Sequence, residues 1–171
     1  AATNGNTVKI DGAANPVVFG FTTSPTITNN QTNAAGTQTI QAANVTLTSS
    51  AVATGSISQG TNYNIVYAVK MDVTTLPVTV NSIQFLLTGT YDNDDLSFVS
   101  VWFNATAPTV TGGTLISNQS GLFAGPHTFS GGLNQAIAAG ASGYFIITVN
   151  TAAAATNGNT VKIDGAANPV V

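Results

Sequence analysis

Residues 1–18 and residues 154–171 spell the same sequence, AATNGNTVKIDGAANPVV, at an offset of 153. Identity over that length does not arise by chance, and diverged duplications do not leave one end perfect. Self-similarity at a fixed period is the mark of a repeat array. A period of 153 is too long for a solenoid unit and suits one whole domain. Whatever these residues fold into must therefore serve both edges of a domain-sized unit. After Val18 the chain runs on as FGFTTSPTI, which with NPVV makes a continuous strand pattern, whereas the second copy reaches Val171 inside that same pattern. The expectation is a window slightly wider than one period of a covalent tandem array that continues on both sides.

Within the period, alternation dominates. In NYNIVYAVKMDV the residues Tyr63, Ile65, Tyr67, Val69, Met71 and Val73 form one apolar row, with Asn62, Asn64, Lys70 and Asp72 between them. That is the period of a half-buried strand. Ile83, Phe85 and Leu87 repeat the pattern, as do Phe145, Ile147 and Val149. In the repeated words Val161 and Ile163 are expected inward and Lys162 and Asp164 outward, and Val17, Phe19 and Phe21 share one face. LSFVSVWFN is apolar on both parities and reads as a central or bulged strand. No helical stripe appears, β-branched residues abound, and only AIAAGA offers a short helical turn. The predicted fold is all-β: an antiparallel β-sandwich of roughly seven to nine strands, Ig-like in plan, forming one module of a tandem array.

The polar run from Thr23 to Gln38 reads as a linker. Residues 1–36 are then the C-terminal edge of a preceding repeat plus linker, 37–43 the module boundary, and 44–171 the β-sandwich repeat with its last strand truncated. The missing FGFTT strand would be supplied in cis by the continuing array, or by strand addition from a neighbouring copy.

Composition removes several function classes. Charged residues make up 5% of the chain, against about 25% in ordinary soluble domains. There is no Arg and no Glu; the charges are Lys9, Lys70, Lys162 and six Asp. Phosphate neutralisation needs clustered cations, so nucleic acid is not an expected partner, and neither is an anionic membrane surface. No segment is long and apolar enough to predict membrane insertion. Cysteine is absent, which removes disulfides, thiolate metal sites and thiol nucleophiles.

Little remains to carry chemistry. Asp92, Asp94 and Asp95, with Asn93 among them, form the single acidic cluster and the one candidate Ca²⁺ site. Such an ion takes about six to eight oxygens. The competing reading is a hairpin turn in which the Asp side chains cap backbone N–H groups. No downstream Glu completes an EF-hand loop, and no other cofactor is implied. His127 is the sole histidine, and no nucleophile elbow surrounds any serine, so no catalytic residue is assigned and the chain is not expected to be an enzyme. Trp102, Phe98, Phe103 and Tyr91 would make a sugar-stacking platform or, as the preferred reading, fill the sandwich core. Asn30, Asn44, Asn104 and Asn118 each begin an Asn-x-Ser/Thr sequon.

The run SIQFLLTGTYDNDDLSFVSVWFNAT, followed by GPHTFSGGLNQAIAAGASGYFIITVNTAAAATNGNTVKID, resembles the repeat modules of very large secreted surface proteins of Bacteroidota. The likeness covers about Asn44 to Val171, with the aromatic and glycine positions in the expected order. It implies a β-sandwich stalk repeat at the cell surface, exported by type IX secretion, in adhesins or filaments that support adhesion or gliding motility. The expected partners are adjacent copies of the same repeat, lateral self-assembly of chains being left open by the sequence, and the expected location is extracellular. The alternatives are a repeated glycan- or Ca²⁺-dependent binding module and a strand-exchanged filament subunit.

Overall fold

Alternating apolar residues carry the chain into strands, and no helix forms among the described residues. The structure is a computed structural model; it describes residues 5–9, 22–23, 26, 28 and 36–164. The expected strand through Val17, Phe19 and Phe21 and the sequon at Asn30 lie outside the described residues. The chain divides into two units, Ala1–Ala42 and Ala43–Val171.

In the first unit β1 (Thr7–Val8) pairs antiparallel with β2 (Gln38–Thr39), Thr7 opposite Thr39. The Gly5 N–H donates to the Ile40 carbonyl at 2.7 Å, and the Ile40 N–H to the Asn6 carbonyl at 2.7 Å.

The second unit contributes β3 (Asn44–Ser50), β4 (Asn64–Thr74), β5 (Val78–Val80), β6 (Ile83–Gly89), β7 (Leu96–Asn104), β8 (Thr114–Gln119), β9 (Gly125–Phe129), β10 (Gln135–Ile137), β11 (Ser142–Thr151) and β12 (Val161–Asp164). One sheet has the order β3-β4-β11-β7-β8 and another β12-β6-β9, with every pair antiparallel. β5 and β10 pair separately, Val80 opposite Gln135, where the β6–β9 ladder has ended at Ile83 opposite Phe129.

The inward rows of the two larger sheets meet in one core. Val69 and Val73 of β4, Val99 and Val101 of β7, and Phe145, Ile147 and Val149 of β11 face Ile83, Phe85, Leu87 and Phe129. Phe85 and Phe129 stack with centroids 5.2 Å apart. Each such side chain stabilises the fold by about 1.5–3 kcal/mol relative to exposure. The inward rows of β6 and β11 are the ones read from alternation. Val161 and Ile163 also pack on this core, as expected for β12. β7 lies between β11 and β8; a register shift against β11 makes Ser97 an extra residue, so Leu96 joins Val99 and Val101 in the core.

Three expectations need correction. In β4, Ile147 lies opposite Tyr67 but Thr148 lies opposite Ile65, so Val66 is an extra residue. A bulge of this kind reverses the facing of what precedes it. Tyr67, Val69, Met71 and Val73 stay with the core, whereas Ile65 takes the outer face with Thr148. Trp102, read as core, also stands on the outer face: it is opposite Ile146 in β11, the parity opposite to Val101 and Phe103. AIAAGA forms no helical turn; Ala136 and Ile137 belong to β10, and Gly140 sits at φ +74 in the turn before β11.

Candidate functional site

The second copy of the repeated words is held by side-chain hydrogen bonds from the loop that follows β6. The segment TNGNT, residues 156–160, brings the chain from β11 in one sheet to β12 in the other. A turn there leaves backbone groups unpaired unless side chains supply partners. Asp95 is that partner. Its Oδ1 accepts from the Thr156 N–H at 2.5 Å, and its Oδ2 accepts from Asn159 Nδ2 at 2.7 Å and from the Asp92 N–H at 2.9 Å. Its own carbonyl accepts from the Ala152 N–H at 2.8 Å.

Asp95 is only 5% exposed. The Asn159 side chain, then the N–H groups of Thr156 and Asp92, hold its carboxyl below the ordinary 3.8, at about 2. Donors aimed at a carboxylate favour its charged form and here outweigh the burial that opposes it.

The rest of the segment is bound as closely. Thr160 sits against Gly89–Tyr91: its carbonyl accepts from the Thr90 N–H at 3.0 Å and the Tyr91 N–H at 3.2 Å, while its own N–H donates to Thr90 Oγ1 at 3.0 Å. Gly89 has φ +137, and a Cβ there would run into the Thr160 carbonyl. Upstream, Thr151 Oγ1 donates to the Ser58 carbonyl at 2.7 Å, Gln59 Nε2 donates to the Ala155 carbonyl, and the Gly60 N–H donates to the Ala152 carbonyl at 3.0 Å. The second copy of the repeat is thus the piece that locks one sheet onto the other.

The first copy carries the same groups in its sequence, and its described residues pair differently. Thr3, Asn6 and Thr7 are the counterparts of Thr156, Asn159 and Thr160. Gly5 and Gly158 have matching turns at φ +87 and +91. Yet Thr7 and Val8 pair with β2, whereas Val161 pairs with Gly89 of β6.

The acidic cluster divides by role. β6 and β7 lie in different sheets, so YDNDD is a crossover between sheets rather than a hairpin turn. Asp95 caps the Asp92 N–H as expected and reaches beyond its own loop; Asp92 and Asp94 are exposed. Among the described residues no group of three or more His, Cys, Asp or Glu side chains is gathered for a metal ion. Both oxygens of Asp95 are already engaged by donors. At and beside this crossover, Tyr91 Oη, Asn93 Oδ1 and Thr88 Oγ1 are buried with no hydrogen-bond partner among the described residues. Burial pushes the Tyr91 phenol up to about 12.

The remaining candidates scatter. His127 lies within β9, its Nε2 2.7 Å from the Phe123 carbonyl. The four aromatics do not form one platform: Tyr91 and Phe103 go with the core, and Trp102 and Phe98 with the outer face. There Trp102 meets Tyr63 edge-on at 5.1 Å, and its Nε1 donates to Thr148 Oγ1 at 3.1 Å. Tyr63 is 47% exposed at φ +58, an uncommon conformation for an aromatic residue, and Phe98 is 42% exposed. Asn104 heads a sequon but is buried: its Nδ2 donates to the Thr109 and Thr111 carbonyls at 2.8 and 3.0 Å. Its Oδ1 accepts from the Thr106 and Ala107 N–H groups.

Sequence reasoning assigned no role to Thr156, Asn159 or Thr160, and read Asn104 only as a sequon. The signal available for the first three was their place in a segment repeated letter for letter, as TNGNT at residues 3–7 and 156–160. Comparison of the chain with protein-family models, with curated proteins and with solved structures finds no match.

Proposed function

We propose that this chain is one period of a tandem array of Ig-like β-sandwich modules. The array forms the stalk of a long extracellular surface protein or filament that supports adhesion or gliding motility. The observation that carries this reading is the joint around Asp95. The recurring words are the ones whose second occurrence closes the module, so the first occurrence, with Thr3, Asn6 and Thr7, is equipped to close a module preceding it. Sheets locked by internal hydrogen bonds and a surface poor in charge suit a unit whose task is to set reach.

The wiring of Asp95 favours a structural role for the acidic loop over a Ca²⁺-dependent one. Cell-surface location and type IX export rest on the resemblance to the Bacteroidota repeat modules.

Electron microscopy of the native particle tests the array. Strands of about ten residues at roughly 3.3 Å each, plus a linker, give an axial repeat of about 40–50 Å. A fibre one chain wide with that spacing is the expected result; a compact particle without an axial period would overturn the reading.

A second reading, a glycan-binding module repeated for avidity, is favoured by exposed Tyr63 set edge-on against half-buried Trp102, with exposed Phe98 on the outer face. Trp102 is the only tryptophan, so titration with polysaccharide fragments while following its fluorescence decides this reading. A saturable change lost in Tyr63→Ala supports it, and an unchanged spectrum removes it.

A further inference from the structure

The repeated words carry reactive chemistry as well as a joint. Asn-Gly occurs twice in the chain, as Asn4-Gly5 and Asn157-Gly158, at the same place in each copy. In the second copy the Asn159 N–H donates to the Thr156 carbonyl at 3.3 Å, so Asn157 and Gly158 are the two central residues of a turn. Gly158 holds φ +91, and the turn itself therefore calls for glycine after Asn157. Both residues are exposed. Glycine has no Cβ to crowd its nitrogen, and among the described residues the Gly158 N–H donates to no acceptor. In the first copy the Gly5 N–H is engaged, donating to the Ile40 carbonyl at 2.7 Å. Asn4 itself lies outside the described residues.

An exposed Asn side chain followed by an unengaged glycine N–H permits attack of main chain on side chain. The Gly158 nitrogen gives up its proton to water and bonds the Asn157 Cγ, closing a five-membered imide. The side-chain nitrogen takes up a proton and leaves as ammonia. Water then opens the ring at one of its two carbonyls. The product is an aspartyl residue, or an isoaspartyl residue in which the main chain runs through Cβ. Nothing is oxidised or reduced.

The position of the pair gives this reaction a consequence. Thr156 and Asn159, on either side of it, both hold the Asp95 carboxylate. An isoaspartyl residue lengthens the main chain between these two anchors by one carbon. Either product also adds a negative charge to the turn that already closes around Asp95.

We propose that Asn157-Gly158 is a self-modification site whose deamidation loosens β12 from β6. The proposal stands whether or not the chain belongs to an array.

The test holds the folded full chain at mildly alkaline pH and follows it by peptide mass spectrometry, with enzymatic methylation to mark isoaspartate. Cleavage after Lys9, Lys70 and Lys162 puts the two Asn-Gly pairs in different peptides. Asn157 should deamidate about two- to tenfold faster than Asn4, the margin set by the hydrogen bond that holds Gly5. In denaturant the two rates should converge, because the surrounding sequence is the same. The deamidated fraction, separated by charge, should melt lower by about 3 °C or more and exchange amide hydrogens faster at Val161–Asp164. Asn157→Gln, whose longer side chain would have to close a six-membered ring, should keep its Tm on ageing. Survival of Asn157 in the folded chain while the denatured chain loses it would overturn the site. Equal folded rates at Asn4 and Asn157 would overturn the part given to the Gly158 N–H. An unchanged Tm in the deamidated fraction would overturn the effect on the joint.

Discussion

Asp95 and Asn159 stand 64 positions apart and meet at 2.7 Å, carboxylate oxygen to side-chain amide, across the crossing from one sheet to the other. The bond joins the loop after β6 to the turn before β12. With the Thr156 and Asp92 N–H groups it holds the Asp95 carboxyl at about 2 in the folded chain, against an ordinary 3.8. A depressed folded value means that the unfolded chain binds the proton more readily. The stability Asp95 supplies is therefore complete above its ordinary value and is lost as pH falls through about 2. Thermal unfolding followed between pH 6 and pH 2 should show this fall. Asp95→Asn should lower Tm at neutral pH and flatten the acid dependence, and Asp94→Asn, at an exposed site, should do neither.

Gly89 gives a way to open the same joint from the other side. Its φ of +137 is hostile to any side chain, and a Cβ there meets the Thr160 carbonyl. Gly89→Ala should destabilise the module by on the order of 2 kcal/mol or more. The damage should be local at first: hydrogen exchange at Val161–Asp164 rises well before exchange at β11. Uniform loosening of both sheets would mean that β12 is not a separable closing element.

Calcium provides an independent check on the acidic loop. Coordination needs about six to eight oxygens, and Asp95 already spends both of its own on three donors. The chain should melt at the same temperature in excess chelator and in millimolar Ca²⁺. A rise in Tm with Ca²⁺ that Asp92→Asn abolishes would return the loop to the role of an ion site.

Much of the fold is written in period-two alternation. Ile83, Phe85 and Leu87, and again Phe145, Ile147 and Val149, face inward as the pattern requires, because one buried face fixes the parity of a strand. Alternation does not reveal an inserted residue. Val66 is apolar like its neighbours, so the bulge that sends Ile65 to the outer face leaves no mark in the row Tyr63–Val73. Trp102 was misplaced for a related reason. Size and apolarity suggest the core, but its parity with Ser100 and Asn104 sets it on the far side, where Thr148 satisfies its indole N–H. The joint at Asp95 depends on contacts some 60 residues apart, which local pattern cannot supply. The repeat itself was legible at once, whereas the use made of Thr156 and Asn159 needed the structure.

Tyr91 tests the opposite kind of buried polar group. Its hydroxyl is buried with no hydrogen-bond partner among the described residues, and burial raises the phenol to about 12. Removing an unsatisfied hydroxyl removes its desolvation penalty and leaves the ring packing in place. Tyr91→Phe should be neutral or stabilising by up to about 2 kcal/mol in chemical denaturation. A loss of stability would show that the hydroxyl is paired, with an ordered water as the natural partner.

Asn104 separates a sequon that is merely written from one that can be used. Its amide nitrogen is buried and donates to the Thr109 and Thr111 carbonyls, while its oxygen holds the Thr106 and Ala107 N–H groups. A glycan on that nitrogen would displace the whole turn after β7. Asn44 and Asn118 are exposed on β3 and β8. Expressed in a glycosylating host and analysed by peptide mass spectrometry, the folded chain should carry sugar at Asn44 and Asn118 and none at Asn104. Asn104→Ala should cost about 1–3 kcal/mol through the partners left unpaired, and occupancy at Asn104 would show that the turn forms only after modification.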